Sequence, residues 1–502
     1  MASQTKVYDS QKLFGQVYTP NFIVNKILDD IGFNSEKILG KKILDPACGD
    51  GRFLEEVVRR IIKFSSVENL KDNLQNVYGW DIDGGAIELC IDNLNTLINK
   101  FGIKVEWNIY KNDSIKEIET TQNNLFFLEV DNKKFDFIVG NPPYIRIQHL
   151  EETQRKYIQR NYKFCQSGST DIYIAFFELC YHLLNENGIC GLITPNTFFY
   201  SETAKAMRNS FSKLGIIKQI TNYGIIQLFD NVTTYSAILI FDKKKHKTFL
   251  YQQATDKENF ISRKILTNEI INQKIWQLSV EKNNKQHGVK LKDICKIHVG
   301  VTTLYDKAYI FPIQQMDEKY VFAFTKLKGK IKIEKEIMKP IIKGSTLKSS
   351  QDKISEYILF PYTKVHGKHQ IIPEEKLKMD FPLAYDYLLS IKDELAKRDN
   401  GRPIVPWYAF GRTQSLDTSW GKKIIFSPMN IKPNFILYEN EECTFYSGYC
   451  IKYNGDYNKL LKQLNSEEME KFISVSSRDF RGGWKAYNKK IIEDFIINAE
   501  EL

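Results

Sequence analysis

A doubly wound α/β sheet is the fold class predicted by the N-terminal half of this 502-residue chain. Three observations carry the prediction. Short runs of β-branched and aromatic residues alternate with helix-period stretches as far as about residue 241. The turns richest in Gly, Asp, Asn and Pro follow strand candidates, and ligands of such sheets bind beyond those strand ends. The chain is also too long for one ordinary core, so two domains are expected, divided at 1–246 and 247–502.

The strand candidates are Lys42–Ala47, Val77–Asp83, Val105–Asn112, Phe135–Gly140, Gly188–Thr194, Ile216–Asn222 and Tyr235–Phe241. Helix-period stretches lie at Asn21–Ile31, Arg52–Phe64, Gly85–Lys100, Asp171–Leu184 and Glu202–Leu214. Strand one runs into Asp45-Pro46-Ala47-Cys48-Gly49-Asp50-Gly51. Gly49 and Gly51 let the backbone approach a ligand closely, and the acid can hold an ammonium group. This turn is neither a G-x-G-x-x-G fingerprint nor a Walker loop. Arg52 opens the helix, and a zwitterionic ligand fits better there than a triphosphate. Strand two ends Gly79-Trp80-Asp81-Ile82-Asp83, where a carboxylate can grip ribose hydroxyls and Ile82 can lie against adenine. Strand three ends Lys111-Asn112-Asp113-Ser114, where Asp113 can accept from an adenine amine. An Asp after a strand is usually a turn or cap residue. Three successive strand ends carrying one in order is more informative than any of them alone.

Strand four carries the sharpest signal, Asn141-Pro142-Pro143-Tyr144. Two prolines freeze the backbone just past the strand end. An amide oxygen and a proline carbonyl side by side make two acceptors for one exocyclic NH2 group, and Tyr144 offers a stacking face. The plain alternative is a proline-stiffened turn with an exposed Asn.

Hydrophobic content of 42% and aromatic content of 13% suit a globular chain. No apolar run reaches the roughly 18 residues that span a bilayer, and the polar start does not read as a signal peptide. The eight scattered cysteines form no C-x-x-C, which reads as reduced thiols in a cytoplasmic chain. Seven histidines without ligand spacing predict no catalytic metal. Residues 1–250 hold 30 Lys+Arg against 29 Asp+Glu, and residues 251–502 hold 41 against 32, so +1 and +9 make the total of +10. A basic C-terminal half suggests a polyanionic partner. Bases there interleave with aromatics, as in Tyr305 and Lys307, Trp407 and Arg412, then Arg478, Arg481, Trp484 and Lys485.

Taken together, the N-terminal motifs resemble those of S-adenosylmethionine-dependent amino-methyltransferases of DNA, the gamma-class (TaqI-like) N6-adenine enzymes of restriction–modification systems. Tyr18-Thr19-Pro20 is similar to the family's leading cofactor motif. Asp45 to Gly49 resembles its cofactor loop, and Asp81-Ile82 and Asp113-Ser114 its ribose and adenine contacts. Asn141-Pro142-Pro143-Tyr144 resembles the catalytic tetrapeptide, with Asn141 and Pro143 also at the cofactor. Leu228-Phe229 falls where the family places a second stacking aromatic, with Tyr235 as a stand-in. The resemblance implies a seven-stranded, mostly parallel sheet with an antiparallel last strand, S-adenosyl-L-methionine as cofactor, and a flipped-out adenine in double-stranded DNA as substrate. It also implies a C-terminal target-recognition domain, in which 299–311, 339–344 and 407–412 look like recurrent elements. Arg146, Tyr305, Lys307, Arg412, Arg478 and Trp484 are the expected DNA contacts. A monomer acting beside a separate restriction endonuclease is the expected arrangement.

The same tetrapeptide would serve cytosine-N4 methylation of DNA, or an RNA or protein-glutamine amino-methyltransferase. A DNA-binding subunit with a degenerate catalytic half, or a fused restriction enzyme, is the reading from a different class.

Overall fold

In a computed structural model of the chain, the described residues are 19–117, 134–166, 170–229, 234–281, 288–477 and 479–502. The chain divides into two compact units, Met1–Asn283 and Asn284–Leu502.

The N-terminal unit is built on β1 (Ile43–Asp45), β2 (Val77–Asp81), β3 (Asn108–Lys111), β4 (Phe135–Gly140), β5 (Leu184–Pro195), β6 (Ile217–Asn222), β7 (Ser236–Asp242), β8 (Thr248–Ala254) and β9 (Phe260–Leu266). Their order in the sheet is β3-β2-β1-β4-β5-β7-β6-β8-β9. Pairing is parallel from β3 through β5; β7 runs antiparallel to both β5 and β6. The sheet therefore has nine strands where seven were expected. Each of the seven predicted segments supplies one, and β8 and β9 extend the β6 edge, β8 in parallel register (Ile220↔Tyr251). For the same reason the structural division falls after Asn283 and not after residue 246: pairing between β6 and β8 ties 248–266 to the first unit.

Successive side chains of each strand enter opposite layers. Ile43, Val139, Ile193 and Ile238 pack in one cluster with residues of α1 (Asn21–Asp30), α2 (Arg52–Phe64) and α3 (Gly84–Ile98). Leu44, Ile138, Leu192 and Leu239 pack in the other, with α5 (Tyr173–Leu183) and α6 (Lys205–Leu214). Between these two groups, α4 (Glu152–Asn161) was absent from the sequence reading: it is short and polar, with Ile158 and Asn161 its buried residues, so no apolar stripe marks it.

Strand order reverses between β1 and β4, which makes their carboxyl ends the switch point. The two approach closely there: a Cβ on Gly140 would lie 2.7 Å from Asp45 Oδ1. Gly51 starts α2 at φ 93°, and a Cβ on it would meet Cys90 Sγ at 2.6 Å, so a side chain is excluded on both counts.

The C-terminal unit is mostly β. One antiparallel sheet joins Lys296–Val299, Tyr449–Lys452, Lys423–Phe426 and Phe435–Tyr438. A six-stranded sheet runs from Gly329–Glu334 to Thr444–Tyr446. A three-stranded sheet holds Met429–Asn430, Trp484–Ala486 and Asp479–Phe480. All eight cysteines are buried and none is in a disulfide. Among the described residues, no helix is long and apolar enough to cross a membrane, and no group of three or more His, Cys, Asp or Glu side chains could hold a metal ion.

Candidate active site

The carboxyl ends of β1 to β4 open into a cleft of about 1040 Å³. At the β1 end, Asp45 is 1% exposed and its Oδ1 accepts the Ala47 amide at 3.0 Å. Burial pushes its carboxyl up to about 8; the Ala47 amide opposes the shift and the nearby Asp81 charge adds to it. Pro46, Ala47, Cys48 and Gly49 follow it along the cleft wall. The Cys48 amide donates to the Trp80 carbonyl at 2.9 Å, which ties this loop to β2. A hydrogen bond with the Cys90 thiol, together with burial, pushes the Cys48 thiol well above its usual range.

At the β2 end, Asp81 Oδ2 accepts the Gly49 amide at 2.9 Å and Oδ1 accepts the Asp83 amide at 3.0 Å. Each carboxylate oxygen keeps a further lone pair, so the group can still accept from a ligand. Asp83 itself caps α3, accepting the Gly85 and Ala86 amides. Ile82 and Leu89 are half-exposed on the cleft wall, an apolar surface wide enough for a planar ring. At the β3 end, Asp113 lies 3.5 Å from Lys116 Nζ. Ser114 Oγ donates to the Pro46 carbonyl at 2.5 Å and is nearly buried, so it acts as a brace between two of the loops.

At the β4 end, Asn141 and Pro143 line the cleft. Asn141 Nδ2 donates to Thr19 Oγ1 at 3.1 Å, which sets the plane of the amide. Thr19 is buried and also lines the cleft. Its neighbour Pro20 does not; its carbonyl accepts the Ile23 and Val24 amides and starts α1. Pro142 is buried. Tyr144 is half-buried, does not itself line the cleft, and packs edge-on to Tyr173, ring centroids 6.4 Å apart at 77°; burial pushes its phenol up. Phe229 is 3% exposed inside the core cluster of α1 to α3 and does not line the cleft. Tyr18 lies outside the described residues.

The far wall was missed by the sequence reading. His149, Leu150 and Glu151 precede α4, and Gln154, Tyr157 and Ile158 lie on it, all along the cleft. Tyr157 Oη donates to the Lys116 carbonyl at 3.3 Å, joining α4 to the β3 turn. Proximity to the tetrapeptide in the chain was the one available signal.

Of the expected DNA contacts, Arg146 is exposed two residues after Tyr144, and its backbone bridges Asp171. In the C-terminal unit, Thr302 and Arg412 form a backbone bridge, bringing Tyr305, Lys307 and Arg412 to one turn. Lys307 is exposed; Tyr305 is half-buried and reaches Glu394 at 3.4 Å; Arg412 pairs with Asp399 at 3.2 Å. Trp484, 42% exposed, stands on the three-stranded sheet instead. Arg478 is outside the described residues.

The donor set suits a nucleoside with a charged tail: a buried acid for an ammonium, a carboxylate for ribose, an apolar wall for a ring. Residues 75–229 match the model of the Eco57I restriction-modification methylase family. That match covers most of the strands and turns that form the cleft, so the N-terminal unit is similar to this family. It is similar to the type II restriction enzyme and methyltransferase RM.Eco57I of Escherichia coli, 25% identical over 95% of this chain and 56% of that protein. The type II methyltransferases M.BstVI of Geobacillus stearothermophilus (25%, over 74% and 71%) and M.BanIII of Aneurinibacillus aneurinilyticus (23%, over 96% and 87%) are further relatives. This chain thus spans a little over half of the E. coli relative and most of the other two. Its fold is similar to that of the type IIL restriction-modification enzyme MmeI, solved in complex with DNA, at a TM-score of 0.58 and 13% identity over 94% of this chain and 64% of that one. S-adenosyl-L-methionine is the expected cofactor.

Proposed function

We propose that this chain is a site-specific DNA methyltransferase that transfers a methyl group to N6 of an adenine flipped out of duplex DNA. One observation carries the reading: Asn141 and Pro143 of the Asn141-Pro142-Pro143-Tyr144 turn stand at the switch point, on the same cleft as three acid-bearing strand ends. S-adenosyl-L-methionine supplies an electrophilic methyl group when bound. Asp45, Asp81, Ile82 and Asp113 are the residues that would hold it.

Adenine N6 is a poor nucleophile because its lone pair is delocalised into the ring. The Asn141 amide oxygen and the Pro142 carbonyl accept its two N–H bonds, favour a tetrahedral nitrogen and turn the lone pair out of the ring plane. Preorganised dipoles of this kind act in the transition state and cost no reorganisation at the moment of reaction. Thr19 keeps the Asn141 amide in register. The proton leaves to water after transfer, so no side-chain base is required. The target atom lies inside the helix, and extrusion costs a few kcal/mol of stacking; a ring such as Tyr144 offsets about 1–3 kcal/mol of it. In this reading the C-terminal unit recognises the sequence.

The test is sequencing of modified bases in DNA from a host expressing the chain, alongside Asn141→Ala. N6-methyladenine at one recurring motif is expected with the parent chain. Asn141→Ala is expected to bind cofactor and DNA but to lose methylation by about two to three orders of magnitude, as when one transition-state hydrogen bond is removed. Modified cytosines, or methylated RNA or protein in place of DNA, would overturn the reading.

A further inference from the structure

Leu304 stands in the left-handed region at φ 60°, a conformation that strains a residue with a side chain and suits glycine. Its side chain is also 36% exposed. The turn that holds it is pinned from several directions. Thr303 Oγ1 donates to Asp306 Oδ1 at 2.6 Å and accepts the Tyr305 amide at 3.0 Å. Across the turn, the Gly411 and Arg412 amides donate to the Thr303 and Thr302 carbonyls at 3.0 and 3.2 Å. The leucine lies directly over Gly411, where a Cβ would come within 2.3 Å of Leu304 Cγ. Two positions are thus committed to one partly exposed leucine: 304 bears the strain and 411 gives up its side chain. Strain over-determined in this way is a pointer to function.

The surroundings say what the leucine meets. Lys307 is exposed on the same turn, and Arg412 is exposed on the segment paired with it. The Asp399 carboxylate, 3.2 Å from Arg412, orients that guanidinium while leaving it donors to spare. A partly exposed apolar side chain near exposed cations in the same two segments fits a duplex, whose phosphates flank stacked, apolar base steps.

We propose that Leu304 is a wedge pressed against a base step of duplex DNA, with Lys307 and Arg412 on the adjoining phosphates. The proposal rests on the DNA-methyltransferase reading above. Apolar wedges partly unstack a step and bend the helix, while phosphate contacts set register. Leucine has no donor or acceptor with which to prefer one base pair, so its contribution is to deformation and not to sequence readout.

Leu304→Gly in the full-length chain is the discriminating variant, because it removes the side chain and relieves the backbone together. Its melting temperature is expected to equal or exceed that of the parent chain. On a duplex carrying the motif that sequencing identifies, kcat/KM is expected to fall about tenfold, the effect of a modest change in unstacking free energy. With an abasic site opposite the target base, its pairing is already lost and extrusion is easier, so variant and parent are expected to agree within about twofold. Leu304→Asn, which tolerates the left-handed region but is polar, is expected to behave as Leu304→Gly does. Unchanged rates on the ordinary duplex, or equal losses on both duplexes, would overturn the wedge and leave the methyltransferase reading standing. A parent chain that methylates neither duplex would overturn that reading, and the wedge with it.

Discussion

Asp45 lines the cleft, and burial raises its carboxyl from 3.8 to about 8, which favours the neutral form. The folded chain therefore keeps a proton that the unfolded chain has released. The stability this contributes is complete below about pH 4 and is lost as pH rises towards 8. An ammonium group bound at Asp45 favours the charged carboxylate and expels that proton. Cofactor affinity is accordingly expected to tighten between about pH 6 and 7.5, with proton release visible as a buffer-dependent heat in isothermal titration. Asp45→Asn should bind more weakly and release no proton; the same release from both proteins would show that Asp45 does not meet the ammonium. Ser114 makes the complementary point at this scale. Its place in the motif suggested a cofactor contact, yet its hydroxyl is tied to the Pro46 carbonyl, so its evident effect is to hold the β1 loop against the β3 turn.

At the scale of elements, the edge of the sheet is the part that sequence periodicity left open. β8 covers β6 with a parallel ladder, and Thr221 Oγ1 donates to Gln252 Oε1 at 2.9 Å across the pair. The segment after β9 is tied back as well: Arg208, fully buried in α6, donates to the carbonyls of Phe198, Ser201 and Lys274, and Trp276 packs on Phe198. A chain cut after residue 246 would leave β6 with an open row of backbone donors and acceptors, a template for intermolecular pairing. It is expected to aggregate on expression, whereas a chain cut after residue 281 is expected to remain monomeric by light scattering. Equal behaviour of the two fragments would show that β8 and β9 are dispensable to the unit. β8 and β9 lay outside the expected sheet because local pattern does not record which sheet a strand joins: β8 pairs in parallel with β6, and β9 pairs antiparallel with β8.

At the scale of the whole molecule, charge separates the halves, +1 before residue 251 and +9 after it. If the second half holds a duplex, each neutralised phosphate releases counterions, and the slope of log affinity against log salt is about −0.9 per phosphate. A slope of several units is expected for the full chain on duplex DNA, little changed by Asn141→Ala and reduced by about one by Lys307→Ala. A flat salt dependence would remove the polyanion from the account of that charge.

The chain by itself determined which turns follow which strands, because period, proline stiffness and glycine placement are local properties written residue by residue. Asp45, Asp81, Asp113 and Asn141 could therefore be named before any fold was known, and the structure sets all four around one cleft. Only tertiary structure decided what else meets them. The α4 wall, the burial of Phe229, the brace made by Ser114 and the partly exposed leucine over Gly411 depend on side chains distant in sequence arriving at the same point. Local pattern carries no record of such meetings; packing and hydrogen bonding select them once the sheet has formed.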